Sequence, residues 1–136
     1  GFIGSHLVDG LLAHGAARVT IVDSMKYANR AFEEKPRDRV TVLRHDLGTD
    51  DVEVLARALE GVDLLFHLAA EKHNQSLPSP QHLIDANITG TWALFDRAGK
   101  AGVKKIVFSS SLYAYGRYTP PAMVETEIPR PDTLYG

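Results

Sequence analysis

The sequence predicts an α/β protein with a parallel, doubly wound sheet and helices on both faces. The first observation is a set of short runs that have the apolar, β-branched character of buried strands, at about 18–23, 40–45, 62–67 and 104–108. The second is a helical spacing of apolar residues between these runs, at about 4–14, 50–60 and 81–101. Strands and helices that alternate in this way form parallel sheets with right-handed crossovers.

The first predicted helix has apolar residues such as Leu7 and Leu11 on one face, and Gly15 follows as a stop. The strand at 18–23 follows it and ends in an acidic residue. The polar stretch 24–39 shows no sustained period, which predicts a loop that can include a helical turn.

The second helix places Leu55 and Leu59 on its apolar stripe, and Gly61 ends it. Gly102 ends the third helix in the same way. The apolar stripe of that third helix has seven members: Leu83, Ile84, Ile88, Thr91, Leu94, Phe95 and Ala98. The proline-rich segment 113–136 predicts a loop.

Composition narrows the class of protein. The chain has 136 residues, 44% hydrophobic and 24% charged, with a net charge of -2, which suits one globular domain and gives no reason to expect nucleic acid or a membrane surface as a partner. No apolar run reaches the roughly 18 residues that span a bilayer. Cysteine is absent, which excludes thiol chemistry and fits a reducing compartment, so we expect a cytoplasmic location.

In an open parallel sheet, ligands bind outside the carboxyl ends of the strands. Gly1 and Gly4 open the first helix, where glycine lets a pyrophosphate approach the backbone and the helix dipole. Asp23 ends a strand about 20 residues later, where a carboxylate accepts hydrogen bonds from adenosine ribose. This spacing favours NAD, although Lys26 and Arg30 keep NADP open as an alternative.

Five segments resemble, in order and spacing, the motifs of the extended short-chain dehydrogenase/reductases: Gly1-Phe2-Ile3-Gly4, His67-Leu68-Ala69-Ala70, Asn87-Ile88-Thr89-Gly90-Thr91, Phe108-Ser109-Ser110-Ser111 and Tyr135-Gly136. Within that superfamily the chain is most similar to the NAD-dependent nucleotide-sugar epimerases and dehydratases, of which UDP-glucose 4-epimerase is the familiar type. The resemblance implies a Rossmann-type fold, with residues 1–136 as a partial NAD-binding domain.

The resemblance also implies a set of NAD-contacting residues: Gly1, Phe2, Ile3, Gly4, Asp23, Asp46, Leu47, Leu68, Ala69, Ala70, Lys72, Asn87 and Ser109. Of these, Asp46 and Leu47 are expected beside the adenine, and Asn87 near the nicotinamide half. Asn87 also interrupts an apolar stripe, where a buried amide needs partners. A satisfied core asparagine and a direct ligand contact both remain open for it. No metal site is expected, because the histidines lack a second ligand at a suitable spacing.

By the same resemblance, Ser111 is the catalytic serine and Tyr135 the acid/base that exchanges a proton with the sugar hydroxyl. A free tyrosine with a pKa near 10 is a poor base at neutral pH, and in the family a lysine four residues further on helps to lower this pKa. In nucleotide-sugar 4,6-dehydratases an Asp-Glu pair follows the serines. Ser111-Leu112-Tyr113 has no carboxylate, which disfavours dehydration and favours epimerisation or simple reduction.

The sequence opens inside the family's first glycine motif and stops before the lysine that follows Tyr135. We therefore expect a fragment cut at both ends, which lacks the first strand and the C-terminal part and is inactive by itself. The full-length protein is expected to be a homodimer that pairs through helices including 81–101.

The leading hypothesis is an NAD-dependent nucleotide-sugar epimerase. The alternatives are a dehydrogenase, reductase or nucleotide-sugar dehydratase of the same family, and a non-catalytic NAD(H)-binding redox sensor.

Overall fold

A computed structural model describes residues 1–27, 38–51, 53–76, 80–117 and 123–136. The strands are β1 (Val19–Asp23), β2 (Val40–Arg44), β3 (Leu64–His67) and β4 (Lys105–Phe108). The α-helices are α1 (Phe2–Ala13), α2 (Glu53–Ala58), α3 (His73–Ser76), α4 (Pro80–Ile84) and α5 (Thr91–Lys100). A π-helical turn (Asp85–Gly90) joins α4 to α5, and a 3₁₀ turn (Leu112–Tyr115) follows β4. The predicted α/β class is confirmed.

The strands pair in parallel, as predicted. β1 pairs with β2, with Asp23 opposite Arg44, and β3 pairs with β4, with His67 opposite Phe108. Among the described residues the strands form two separate two-stranded parallel sheets, with no hydrogen-bonded ladder between the two pairs. In the doubly wound strand order the first strand lies at the centre, and the strands that follow it along the chain lie on either side.

One hydrophobic cluster packs against both strand pairs. Its buried members come from α2, the residue after it and α5: Leu55, Leu59, Leu94 and Ala98. Val22 of β1 and Leu65 of β3 pack against this cluster from the two separate sheets. The α2–α5 layer therefore holds the two pairs beside each other, although no ladder of hydrogen bonds connects them.

Glycine ends three helical segments where the sequence predicts a stop. Gly15, Gly61 and Gly102 have φ values of +89°, +68° and +79°. This left-handed conformation terminates helices and is costly for residues with a Cβ. These three predicted boundaries are confirmed.

The predicted helix at 81–101 is observed as α4, the π-helical turn and α5 in succession, which we call the long helix. Its predicted apolar stripe is wrong at Ile88, whose side chain is 58% exposed. A π-helical turn contains more residues than an α-turn, so it shifts the buried face along the chain. Ala86 and Thr91 are buried on either side of Ile88.

Other boundaries differ by a few residues. The first helix begins at Phe2 rather than at residue 4, because Gly1 serves as its N-cap. α2 and β3 are shorter than predicted, and α3 and the 3₁₀ turn were not predicted. Most of the predicted loop at 24–39 lies outside the described residues.

Candidate functional site

The start of α1 and the end of β1 meet, as the sequence predicts. The Gly1 nitrogen lies 3.5 Å from Asp23 Oδ2. Asp23 Oδ1 accepts a hydrogen bond from the Met25 N–H at 2.8 Å, which fixes the carboxylate in the turn after the strand. A helix N-terminus and a strand-end carboxylate therefore stand side by side at the carboxyl edge.

The space above the first turn of α1 is open among the described residues. A Cβ added to Gly1 would meet no atom within 4 Å, and one added to Gly4 would meet only Leu68 Cδ1 at 3.9 Å. Phe2 and Ile3 are 75% and 66% exposed. The first amides of a helix lack intrahelical acceptors, and helix N-termini of this kind are favourable positions for anions.

Asp46 follows β2 and is held by two contacts. Its Oδ1 accepts a hydrogen bond from the Gly48 N–H at 2.9 Å, and its Oδ2 lies 2.7 Å from Lys26 Nζ. Burial alone would raise the pKa of Asp46, but the Lys26 ammonium and the Gly48 amide outweigh burial and hold this pKa below its usual value. The carboxylate is therefore ionised at neutral pH.

Lys26 is also close to two residues that the sequence did not indicate. Its Nζ lies 3.7 Å from Glu71 Oε1 and 2.9 Å from His82 Nε2, and His82 Nε2 lies 2.9 Å from the same Glu71 oxygen. The hydrogen bond to Asp46 and the two carboxylate charges raise the pKa of Lys26 against partial desolvation. We call Lys26, Asp46, Glu71 and His82 the charge network.

The charge network joins the segments that follow β1, β2 and β3 to α4. Beside it lies a cavity of about 490 Å³, lined by Ser24, Lys26, Arg44, Asp46, Thr49 and Asp50. The sequence left Lys26 as a candidate for a 2′-phosphate, but its ammonium is already engaged by carboxylates. Arg30, the other candidate, lies outside the described residues.

Leu47 and Asn87 hold the long helix against the carboxyl edge. A Cβ added to Gly90 would lie 2.8 Å from Leu47 Cβ and 2.9 Å from its carbonyl carbon, so the backbones touch closely. Asn87 Oδ1 accepts from the Glu71 N–H, and Asn87 Nδ2 donates to the Glu71 carbonyl, both at 2.8 Å. Asn87 is therefore a hydrogen-bonded amide that clamps the backbone after β3.

The segment after β3 faces the same edge. Leu68, Ala69, Ala70 and Lys72 are exposed. Ser109, at the end of β4, is exposed and donates its N–H to the His67 carbonyl at 3.0 Å. The predicted cofactor residues of β3 and β4 are thus neighbours through the parallel pairing.

Tyr113 lies between the two predicted catalytic residues. Ser111 Oγ accepts from the Tyr113 N–H at 3.3 Å, and the Tyr113 ring packs edge-to-face on Tyr135 with centroids 5.3 Å apart. On its other side Tyr113 contacts the His73 ring at 5.1 Å. The structure therefore brings Ser111 and Tyr135 into one neighbourhood, with the Tyr113 ring packed between them.

Two kinds of feature are absent from the residues that the structure describes. Among them, no group of three or more His, Cys, Asp or Glu side chains has an arrangement that holds a metal ion. No helix in the described ranges is both long and apolar enough to cross a bilayer.

The sequence matches the NAD dependent epimerase/dehydratase family over residues 1–136. The chain belongs to this family. A curated relative, UDP-glucose 4-epimerase of Streptococcus mutans, is 33% identical over 138 residues, which is 100% of this chain and 40% of that protein. The chain spans about two fifths of the length of the curated relatives it matches.

Solved structures agree with this assignment. A dTDP-glucose 4,6-dehydratase from Streptomyces venezuelae, solved with NAD bound, superposes with a TM-score of 0.86 at 35% identity and covers 99% of this chain and 44% of that one. A UDP-glucose 4-epimerase from Thermotoga maritima, solved with UDP-glucose, gives a TM-score of 0.84 at 35% identity, over 100% and 44% of the two chains. These likenesses confirm the predicted Rossmann-type fold and the predicted family, whose cofactor is NAD.

Proposed function

We propose that residues 1–136 form part of the NAD-binding domain of a nucleotide-sugar epimerase. The observation that carries this proposal is the contact between the open N-terminus of α1 and the Asp23 carboxylate, 3.5 Å from the Gly1 nitrogen. A dinucleotide needs both features at this edge, because its pyrophosphate is anionic and its ribose hydroxyls are hydrogen-bond donors.

The residues at the edge fit such a ligand. The first turn of α1 has room for a pyrophosphate beside Gly1 and Gly4, and Asp23 accepts from ribose hydroxyls. Asp46 and Leu47 are placed for the adenine side. When bound, NAD accepts hydride from the sugar carbon and returns it.

The remaining NAD contacts that we propose are Phe2, Ile3, Leu68, Ala69, Ala70, Lys72 and Ser109. Asn87 acts through the Glu71 backbone that it clamps. This arrangement fixes the segment after β3 without requiring a direct contact between the Asn87 amide and the ligand.

For the chemical step we propose that Tyr135 exchanges a proton with the reacting sugar hydroxyl while Ser111 holds that hydroxyl by a hydrogen bond. Loss of hydride from a carbinol carbon leaves the oxygen acidic, so a base within hydrogen-bond reach must take its proton. The same tyrosine returns the proton when hydride comes back to the opposite face.

A specific observation favours epimerisation over dehydration. The 3₁₀ turn that follows Ser111 begins Leu112-Tyr113 and carries no carboxylate, and elimination of water from the sugar needs an acid and a base there. Simple net oxidation or reduction of a sugar remains the second candidate, because it uses the same serine and tyrosine.

We also propose that the full-length enzyme is a homodimer that works in the cytoplasm. Ile88 and Trp92 lie four residues apart on the long helix and are 58% and 68% exposed. Apolar side chains at this spacing share one helix face, which suits a helix-to-helix interface. A Trp92→Glu variant that remains dimeric by light scattering would argue against this interface.

The proposal is tested on the full-length protein with a panel of UDP- and dTDP-sugars. We expect formation of the C4 epimer, seen by NMR, with no net change in NADH absorbance. Calorimetry should show tighter binding of NAD than of NADP, because Asp23 repels a 2′-phosphate and Lys26 is already paired. Net reduction of NAD would support the dehydrogenase instead, and cofactor binding without turnover would support a redox sensor.

A further inference from the structure

The exposed segment Leu68–Ala70 is anchored at both ends by one helix. At its far end, the Glu71 backbone is clamped by Asn87. At its near end, His67 Nε2 lies 2.9 Å from Thr91 Oγ1. His67 and Glu71 are four residues apart on one chain segment, as Asn87 and Thr91 are on the long helix. His67 and Thr91 each belong to one of the motifs named above, and neither is among the NAD-contacting residues that the resemblance implies.

The hydrogen bond between His67 and Thr91, which we call the near anchor, is buried. His67 is 3% exposed and Thr91 9%. The imidazole stacks on Phe108 with ring centroids 5.7 Å apart and meets Phe95 edge-to-face at 5.4 Å. Both aromatic rings pack against the imidazole, and the Thr91 hydroxyl at its edge further fixes the ring orientation. Burial also lowers the pKa of His67, which keeps the ring neutral at physiological pH.

The hydrogen bonds select one tautomer. The Thr91 hydroxyl lies 3.4 Å from the Ala86 carbonyl and donates its single proton there. A hydroxyl that donates in this way accepts from a neighbour, which favours the His67 tautomer with its proton on Nε2. If His67 were protonated on Nδ1 instead, the lone pair of Nε2 would face a lone pair of Thr91 Oγ1 for as long as the Thr91 hydroxyl donated to the Ala86 carbonyl.

The near anchor also reaches β4. The carbonyl of His67 accepts the Ser109 N–H at 3.0 Å. One residue therefore ties the last ladder rung of β3, the start of Leu68–Ala70 and the long helix together. A shift of His67 would move the backbone that leads directly into the cofactor segment.

We propose that His67 is a positioning residue for the cofactor, which sets the course of Leu68–Ala70 through its hydrogen bond to Thr91. This inference rests on the proposed function, which places that segment along NAD. His67 does not touch the ligand or the reacting atoms. It acts through the backbone, and its effect is on cofactor affinity.

The test uses three variants of the full-length protein. Thr91→Val keeps the side-chain shape and removes the hydroxyl, and Thr91→Ser restores the hydroxyl. Thr89→Val makes the same change at an exposed position of the same helix, which makes it the matched control. NAD affinity is measured by calorimetry and the folded fraction by circular dichroism at the same temperature.

We expect Thr91→Val to weaken NAD binding by roughly tenfold, as the loss of one buried hydrogen bond allows, while Thr91→Ser and Thr89→Val bind like the parent. Equal dissociation constants for the parent and Thr91→Val would overturn the inference alone. A parent that does not bind NAD would overturn the proposed function as well.

A second measurement needs no variant. Nitrogen-15 NMR of histidine-labelled protein reports the His67 tautomer directly. We expect protonated Nε2, and ring signals that move when NAD is added. An Nδ1-protonated ring, or signals that NAD leaves unchanged, would contradict the proposal even if Thr91→Val failed to fold.

Discussion

Replacing Gly90 or Gly99 of the long helix with alanine should change the free energy of unfolding in opposite directions. Gly90 is buried and has φ −67° and ψ −40°, helical values that any residue adopts. Its requirement for glycine therefore comes from close packing, since an added Cβ would lie 2.8 Å from Leu47 Cβ and 2.9 Å from the Leu47 carbonyl carbon. Gly99, in α5, is exposed, and an added Cβ there would meet nothing within 4 Å.

The magnitudes follow from these surroundings. Alanine is favoured over glycine inside a helix by about 1 kcal/mol, so Gly99→Ala should raise the free energy of unfolding by about 0.5–1 kcal/mol. Gly90→Ala has the same gain but overpacks the interior, which typically costs about 1–3 kcal/mol. The obstacle is Leu47 backbone, which cannot rotate away as a side chain does. We therefore expect the upper end of that cost and a net loss of about 2 kcal/mol.

The assay is urea unfolding of both variants and the parent, followed by circular dichroism. The two variants should differ by about 3 kcal/mol in unfolding free energy, the sum of the two effects, at unchanged urea dependence. If the Gly90→Ala variant proved as stable as the Gly99→Ala variant, the result would refute the close packing of Leu47 against Gly90. Because Leu47 is proposed to lie beside the adenine, Gly90→Ala should also weaken NAD binding and Gly99→Ala should not.

Three further outcomes are expected in the full-length protein. Tyr135→Phe should lower kcat by about 10²- to 10⁴-fold at unchanged NAD affinity, with Ser111→Ala less severe and the two effects non-additive in the double variant; a rate above a tenth of the parent's would contradict the assignment. Gly4→Ala should weaken NAD binding without destabilising the fold, because the nearest described atom to an added Cβ is Leu68 Cδ1 at 3.9 Å, whereas a bound pyrophosphate would oppose it; unchanged affinity would make this glycine a structural turn. Because burial lowers the pKa of His67, the unfolded chain takes up its proton first, so the unfolding free energy should fall as pH drops below about 6.5, by up to about 1.4 kcal/mol per pH unit. If the unfolding free energy of a His67→Gln variant depended on pH in the same way as that of the parent, His67 would not be the cause of this dependence.

The elements that could be predicted are those whose signal is local. Gly15, Gly61 and Gly102 ended predicted helical segments because a left-handed residue is needed at that position whatever the rest of the fold does. Asp23 and the glycines of α1 could be paired in advance because parallel strands and helices bring their ends to one edge. The π-helical turn could not be predicted, because an apolar spacing of 3.6 residues per turn does not indicate where extra residues enter a turn. The predicted burial of Ile88 is wrong for this reason.

The charge network could not be predicted for a different reason. Lys26 and His82 are 56 residues apart, and nothing in the spacing of either indicates the other. A lone lysine near a strand end is compatible with a 2′-phosphate ligand, with solvent or with an ion pair. The positions of Asp46 and Glu71 decide which of these three partners Lys26 has. These positions depend on the course of the loops after β2 and β3, which the sequence does not indicate.

Asn87 is expected from the sequence to be either a satisfied core asparagine or a direct ligand contact, and its hydrogen bonds connect these two possibilities. Its amide satisfies the Glu71 N–H and carbonyl, so the polar side chain among apolar neighbours has a structural partner. That partner is the backbone of the segment proposed to follow NAD, which means that a core asparagine and a cofactor residue need not be alternatives. An Asn87→Asp change would keep the acceptor for the Glu71 N–H and turn the donor into a second acceptor facing the Glu71 carbonyl. Its effect on NAD affinity, compared with Thr91→Val at the other end of the segment, measures how much of cofactor binding is transmitted through this stretch of backbone.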